Sequence, residues 1–263
     1  MDSTQFGCRI GRELAIAGLI VLALCARLAW ADSPAEREAR LAANYALEKP
    51  DGNGPFPAVM LVPGCSGFHN ASWKAHFDRV AQRVREAGFA VLRVNYHAAG
   101  QVSTCEVIMN PEEVTADVAT AAKYLRAQPF IKPDAINVIG WSYGAGAAFN
   151  ALDGGDGREP AQVAAVVAYY PVVGWIRPWE KVVPILVLCG DLDVTAHCER
   201  LDPLLPLLPG GKQVKVVSYA QTAHGFDNSD LPAKTTTMNG NPMGYNAAVA
   251  PSAWSEAEKF LRR

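Results

Sequence analysis

The sequence predicts an α/β protein, a mostly parallel twisted sheet with helices on both faces and no large lid domain. Three observations carry this. Short continuous runs of Val, Ile and Leu alternate with segments of helical period, the pattern of a parallel sheet buried on both sides. Gly, Pro and Asn punctuate the boundaries between them. The composition, 263 residues with 50% hydrophobic and 19% charged residues and a net charge of -2, fits a chain with a real core and excludes intrinsic disorder. There is no basic excess, so a surface that tracks nucleic-acid phosphates is not expected. With 22 Gly and 18 Pro and no internal repeat, the chain is neither collagen-like nor low-complexity.

The first residues read as a leader. Arg9 and Arg12 precede an apolar run from Leu14 to Ala26, followed by Ala29-Trp30-Ala31 and then Asp32-Ser33-Pro34. A basic start, a short apolar segment and a small-x-small site make a secretory signal. Glu13 and Arg27 bracket the run, and it falls short of the roughly 18 apolar residues a membrane span requires. Cleavage is expected after Ala31, leaving residues 32–263 as one domain, mildly acidic, exported to the periplasm or beyond, with no stable membrane span.

The elements then follow in order. Pro57–Pro63 is a buried strand. Ser72–Ala87 carries Trp73, Phe77, Val80 and Val84 at helical spacing and stops at Gly88. Phe89–Asn95 is the next strand, and Pro111–Ala127 a helix with proline at its start. Ala135–Gly140 is a strand followed by a small-residue helix, Tyr143–Leu152. Val163–Tyr169 and Pro184–Cys189 are strands, Glu199–Leu208 a short helix, Gln213–Tyr219 the last strand and Ser252–Arg262 the closing helix. Asp153–Pro160 and Asp227–Pro251 read as loops, the second long enough to suggest a role in function.

The decisive motif is Gly140-Trp141-Ser142-Tyr143-Gly144, which ends a buried strand and opens a helix. There, G-x-S-x-G is the nucleophile elbow of an α/β-hydrolase fold. The serine must stand on a tight turn above the sheet, and glycines remove the side chains that would clash. The helix start supplies N–H donors and a positive dipole end where negative charge develops.

A serine hydroxyl needs a base to take its proton. Of five histidines, His224 in Ala223-His224-Gly225-Phe226 follows the last strand and gives the chain order Ser, Asp, His. His69 and His97 lie in loops after early strands, His76 within a helix, and His197 after the Pro184–Cys189 strand; these fit surface or pocket-lining roles. The acid that orients the imidazole comes from Cys189-Gly190-Asp191-Leu192-Asp193. Asp193, three residues beyond the turn glycine, is favoured over Asp191. A metal reading of Asp191, Asp193 and His197 lacks a fourth ligand, and neither metal nor cofactor is expected. The oxyanion donors are expected to be the main-chain N–H of Tyr143 and one from Pro63-Gly64-Cys65-Ser66-Gly67, Cys65 first and Ser66 second.

From about Ala42 to the end the chain resembles the dienelactone hydrolase family. The matching pieces are Val62-Pro-Gly-Cys-Ser-Gly67, Gly140-Trp-Ser-Tyr-Gly144, Tyr170-Pro171, Leu188-Cys-Gly-Asp-Leu-Asp193, Ala223-His-Gly-Phe226, and Tyr245-Asn-Ala-Ala248 through Trp254. The resemblance implies hydrolysis of esters or lactones by Ser142, Asp193 and His224, with N–H donors at Cys65 and Tyr143. The founding enzymes carry a cysteine nucleophile, a glutamate in the first loop and arginines for a carboxylated lactone. Here the nucleophile is Ser142 and the loop is Pro63-Gly64-Cys65, so a serine carboxylesterase is expected, acting on a small-molecule ester or lactone. An acyltransferase with the same triad, or a non-catalytic binding protein on the same fold, are the alternatives.

Cys8 and Cys25 leave with the leader. Cys65, Cys105, Cys189 and Cys198 remain, an even number that allows up to two disulfides in an exported chain. Cys65–Cys105 would stiffen the oxyanion loop, and Cys189–Cys198 is the competing pair. Phe68, His69, Tyr96, Trp141, Tyr143, Trp175 and Trp179 lie near strand ends and could form aromatic pocket walls.

Overall fold

A computed structural model describes residues 33–100, 105, 110–153, 159–236 and 240–263, without the Trp175 side chain. The leader, its cleavage site, Cys8 and Cys25 lie outside the described residues, as does most of the Asp153–Pro160 loop. Contacts divide the chain into residues 1–37 and 38–263. The described part of the first unit is Ser33–Arg37, which opens helix α1 (Pro34–Ala42). It starts on a capping box: the Glu36 N–H donates to Ser33 Oγ at 3.3 Å, and the Ser33 N–H to Glu36 Oε2 at 2.9 Å.

The second unit is built on a seven-stranded sheet. Its strands are β1 (Ala46–Glu48), β2 (Phe56–Val62), β3 (Ala90–Arg93), β4 (Ile131–Trp141), β5 (Ala165–Tyr169), β6 (Ile185–Gly190) and β7 (Val214–Tyr219). Their order across the sheet is β1-β3-β2-β4-β5-β6-β7. Only β1 runs antiparallel, against β3; every other pairing is parallel. Every residue of β5 and β6 is buried, which is why these strands read as unbroken apolar runs rather than alternating ones.

Helices cover both faces. α4 (Pro111–Arg126) packs on α5 (Tyr143–Ala151). α2 (Ala71–Glu86) and α6 (Ala250–Leu261) together line a cleft on the other side. α2 is capped by Asn70, whose side chain accepts from the Ser72 and Trp73 amides, and it buries Phe77, Val80, Ala81 and Val84. The order in which strands are added across the sheet reverses at β2, which has β3 on one side and β4 on the other. The carboxyl ends of β2 and β4 therefore flank the switch point, where open α/β sheets bind ligands.

Four readings need correction. Residues 199–208 form no α-helix but 3₁₀ turns at Cys198–Arg200 and Leu205–Leu207, with another at Pro209–Gln213. Pro203, Pro206 and Pro209 withhold the amides that a continuous helix requires. The Asp227–Pro251 loop contains a small antiparallel pair, β8 (Thr235–Thr236) with β9 (Pro242–Met243), which the mixed Thr/Gly/Pro sequence conceals. β4 begins at Ile131, ahead of exposed Lys132, Pro133 and Asp134 that break its apolar pattern. The three-residue β1 and the short helix α3 (Tyr96–Gly100) were too brief to show a period.

Gly144 shows how tightly α5 meets the sheet. A β-carbon there would run into the main-chain oxygens of Pro63 and Val62, which cannot yield without moving β2. Gly144→Ala is expected to destabilise the fold by about 1–3 kcal/mol or more. Thermal unfolding checks this; an unchanged melting temperature would contradict the close packing.

Candidate active site

Ser142 occupies the turn between β4 and α5 with φ 50° and ψ -114°, a left-handed backbone that a serine adopts only under constraint. The constraints are visible. Its N–H donates to the Tyr169 carbonyl at 2.9 Å, and its own carbonyl accepts the Gly146 N–H at 3.1 Å. Gly64 lies directly against it: a β-carbon on Gly64 would come 3.2 Å from Ser142 Cβ. The loop after β2 is thereby set beside the hydroxyl.

The structure brings Ser142, His224 and Asp193 together. His224 Nε2 lies 3.0 Å from Ser142 Oγ, and His224 Nδ1 lies 2.7 Å from Asp193 Oδ2. Asp193 Oδ1 accepts the Thr195 and Ala196 N–H groups, both at 2.9 Å, so the whole carboxylate is fixed. All three side chains are buried. A carboxylate facing Nδ1 selects the tautomer with its proton there, leaving the Nε2 lone pair for the hydroxyl. Asp191 stands apart and accepts the Thr222 N–H at 3.2 Å. His197 Nδ1 lies 3.0 Å from Glu199. The loop carrying His224 is anchored by Gly244 N–H to the His224 carbonyl at 3.0 Å and Asn246 N–H to the Phe226 carbonyl at 2.9 Å.

The Pro63–Gly67 loop is held from below by α3. Tyr96 Oη–H is shared between the Pro63 carbonyl at 2.8 Å and the Gly64 carbonyl at 3.1 Å. In a trans peptide the C=O and the following N–H point oppositely, so fixing the Gly64 carbonyl also fixes the direction of the Cys65 N–H. His97 Nε2 lies 2.9 Å from the Cys65 carbonyl and is its donor. Both disulfides, Cys65–Cys105 and Cys189–Cys198, are present, so the two pairs do not compete.

Burial pushes the His97 pKa down to about 4, against the opposing pull of the Cys65 carbonyl. The depressed value has a stability consequence. Between the unfolded pKa near 6.5 and about 4, the unfolded chain binds a proton that the folded chain refuses, so His97 makes stability fall as pH falls through that window. His97→Gln is expected to flatten that part of the stability curve; urea unfolding across pH 4–7 measures it, and an unaltered slope would contradict the assignment. Tyr96→Phe is expected to lower kcat more than KM, by less than the ~10²–10³ that loss of a whole oxyanion donor costs.

The aromatic candidates divide between the core and loop contacts. Trp141, Trp179 and Tyr96 belong to the core, Trp141 stacked on Tyr169 and Trp179 edge-on to Phe149. Phe68 packs against Phe77 and His69 faces His97.

Sequence reasoning missed Asp227. It is largely enclosed, at the edge of a cleft between α2 and α6, and accepts hydrogen bonds from Tyr170 Oη at 2.6 Å and Trp141 Nε1 at 2.8 Å, with His76 Nε2 3.2 Å away. Burial pushes its carboxyl up, but neighbouring His76 and the hydrogen bonds from Tyr170 and Trp141 outweigh that and hold it below the usual range. The only available signal was an acid set directly after an apolar residue in His-Gly-Phe-Asp.

Elbow, sheet and the Ser–His–Asp chain of hydrogen bonds together define an α/β-hydrolase. The chain belongs to the dienelactone hydrolase family, whose model matches residues 43–263. As a member it is a carboxylic ester hydrolase. A Bradyrhizobium protein described as a probable 2-oxo-3-(5-oxofuran-2-ylidene)propanoate lactonase is 25% identical over 255 residues, covering 89% of this chain and 93% of that protein. Among solved structures, a dienelactone hydrolase-like promiscuous phosphotriesterase, P91, from metagenomic libraries superposes with a TM-score of 0.64 at 18% identity, covering 83% of this chain and 91% of that one. Esterase 2 of Thermogutta terrifontis, phosphorylated by paraoxon, gives a TM-score of 0.61 at 16% identity, covering 82% and 87%.

Proposed function

We propose that this protein hydrolyses small carboxylic esters or lactones through an acyl-enzyme on Ser142, with His224 as general base and Asp193 orienting it. The observation that carries the reading is the hydrogen-bonded chain from Ser142 Oγ through His224 to Asp193 at a strained elbow above the switch point. His224 Nε2 takes the Oγ proton as Oγ bonds to the substrate carbonyl carbon. The oxyanion rests on the main-chain N–H groups of Cys65 and Tyr143, one at the loop held by Tyr96 and one at the start of α5. Collapse breaks the carbonyl-to-alkoxy bond, and His224 returns the proton to the leaving oxygen. Water then repeats the sequence and releases the acid.

Residues 1–31 serve in this reading as an export signal, and the protein works outside the cytoplasm. The two disulfides support that, since such bridges persist in oxidising compartments. None of the described helices is long and apolar enough to cross a membrane.

A panel of aryl and alkyl esters and lactones, run on the chain from Asp32 beside its Ser142→Ala variant, tests the proposal. Turnover of at least one class that disappears in the variant is expected. Equal rates from the two proteins would overturn it.

A further inference from the structure

We propose that Asp227 is a positioning residue that clamps the nucleophile elbow to the histidine loop and so sets the Ser142–His224 geometry. This rests on the serine-hydrolase reading above and adds a residue to it. Asp227 touches neither Ser142 nor His224 directly, but it reaches both through short paths. It lies three residues after His224 on the same loop. Its Oδ2 accepts Trp141 Nε1–H at 2.8 Å, and Trp141 is the residue before Ser142. Its Oδ1 accepts Tyr170 Oη–H at 2.6 Å, and the Tyr170 ring packs on the His224 imidazole with centroids 4.4 Å apart.

The Tyr170 link is itself constrained. Tyr170 has φ 38°, in the left-handed region, and follows Tyr169, whose carbonyl holds the Ser142 N–H. Its N–H donates to the Leu188 carbonyl at 2.8 Å, close to the turn that carries Asp193. Burial and the neighbouring Asp227 keep its hydroxyl protonated, so it remains a donor. One carboxylate thus receives a donor from the serine side and a donor from the ring that backs the base.

Both oxygens are needed as acceptors, since Trp141 Nε1–H and Tyr170 Oη–H meet different ones. An asparagine keeps a single acceptor oxygen: turned to the Trp141 N–H, it aims N–H₂ at Tyr170 Oη, which must then accept rather than donate. His76, on α2, closes the cluster at 3.2 Å from Oδ2. A cleft of about 530 Å³ between α2 and α6 borders His76 and Asp227 but none of Ser142, Asp193 and His224.

The test compares Asp227→Asn, Tyr170→Phe and Trp141→Phe with the parent on a hydrolysed ester, with circular dichroism and thermal unfolding as folding controls. Tyr170→Phe removes one donor and keeps the ring; Trp141→Phe removes the other but also shrinks a buried indole, so its kcat is read beside its melting temperature. A misplacement of about 1 Å can cost on the order of 10²-fold. Asp227→Asn is expected to lower kcat by about tenfold to a hundredfold with KM nearly unchanged, and the single-donor variants to lower it less, in the same sense. A folded Asp227→Asn variant with parental kcat would overturn the proposal, as would losses appearing in KM alone. If Asp227→Asn fails to fold, Tyr170→Phe decides the matter by the same split. Failure of the underlying reading looks different: the parent itself would then hydrolyse no ester, or Ser142→Ala would match it.

Discussion

Ser142→Ala is expected to lower ester turnover by on the order of 10⁶, the scale at which removal of a triad serine acts, while the fold is retained. The side chain contributes one hydrogen bond, from Oγ to His224 Nε2. The turn is held by main-chain bonds from Ser142 to Tyr169 and Gly146, which alanine makes equally well. The atom facing Gly64 is Cβ, which alanine keeps. Loss of activity should therefore come without loss of thermal stability. Kinetics on any hydrolysed ester, beside a melting curve, check both halves.

Asp193→Asn should cost about 10⁴ in kcat, as the same change does in an unrelated triad enzyme. The local geometry explains why it cannot be a mild substitution. The Thr195 and Ala196 N–H groups both point at Oδ1, so the asparagine carbonyl oxygen must face them. That leaves the N–H₂ group aimed at His224 Nδ1. The imidazole answers by moving its proton to Nε2, where it donates toward Ser142 and can no longer accept. The variant should bind substrate with little change in KM and turn it over slowly. A variant retaining more than a tenth of parental kcat would contradict the role given to Asp193.

The parts of this protein legible in its sequence are those with a period or a rigid motif. Continuous Val/Ile runs marked β2, β4, β5 and β6 because both faces of these strands are buried. The Gly140–Gly144 elbow was legible because close packing against β2 excludes side chains, as Gly144 shows. The order of Ser142, Asp193 and His224 placed three residues that the fold then brings within hydrogen-bonding distance. What escaped has no linear pattern. The support of the Pro63–Gly67 loop depends on Tyr96 and His97 lying on a five-residue helix whose contacts are 32 or 33 residues away. Asp227 finds its partners at separations of 57 and 86 residues. The prolines of residues 203–209 were visible, yet the apolar spacing around them suggested a helix that their missing amides forbid.

The central claim is that hydrolysis passes through an acyl group on Ser142. It is tested most directly by acid-quenching the protein during turnover of an activated ester and locating the adduct by peptide mass spectrometry. One acyl mass is expected, carried on the peptide that contains Ser142, accumulating when deacylation is slow and absent from Ser142→Ala. Ester turnover with the acyl group on another residue, or the same labelling in Ser142→Ala, would contradict it.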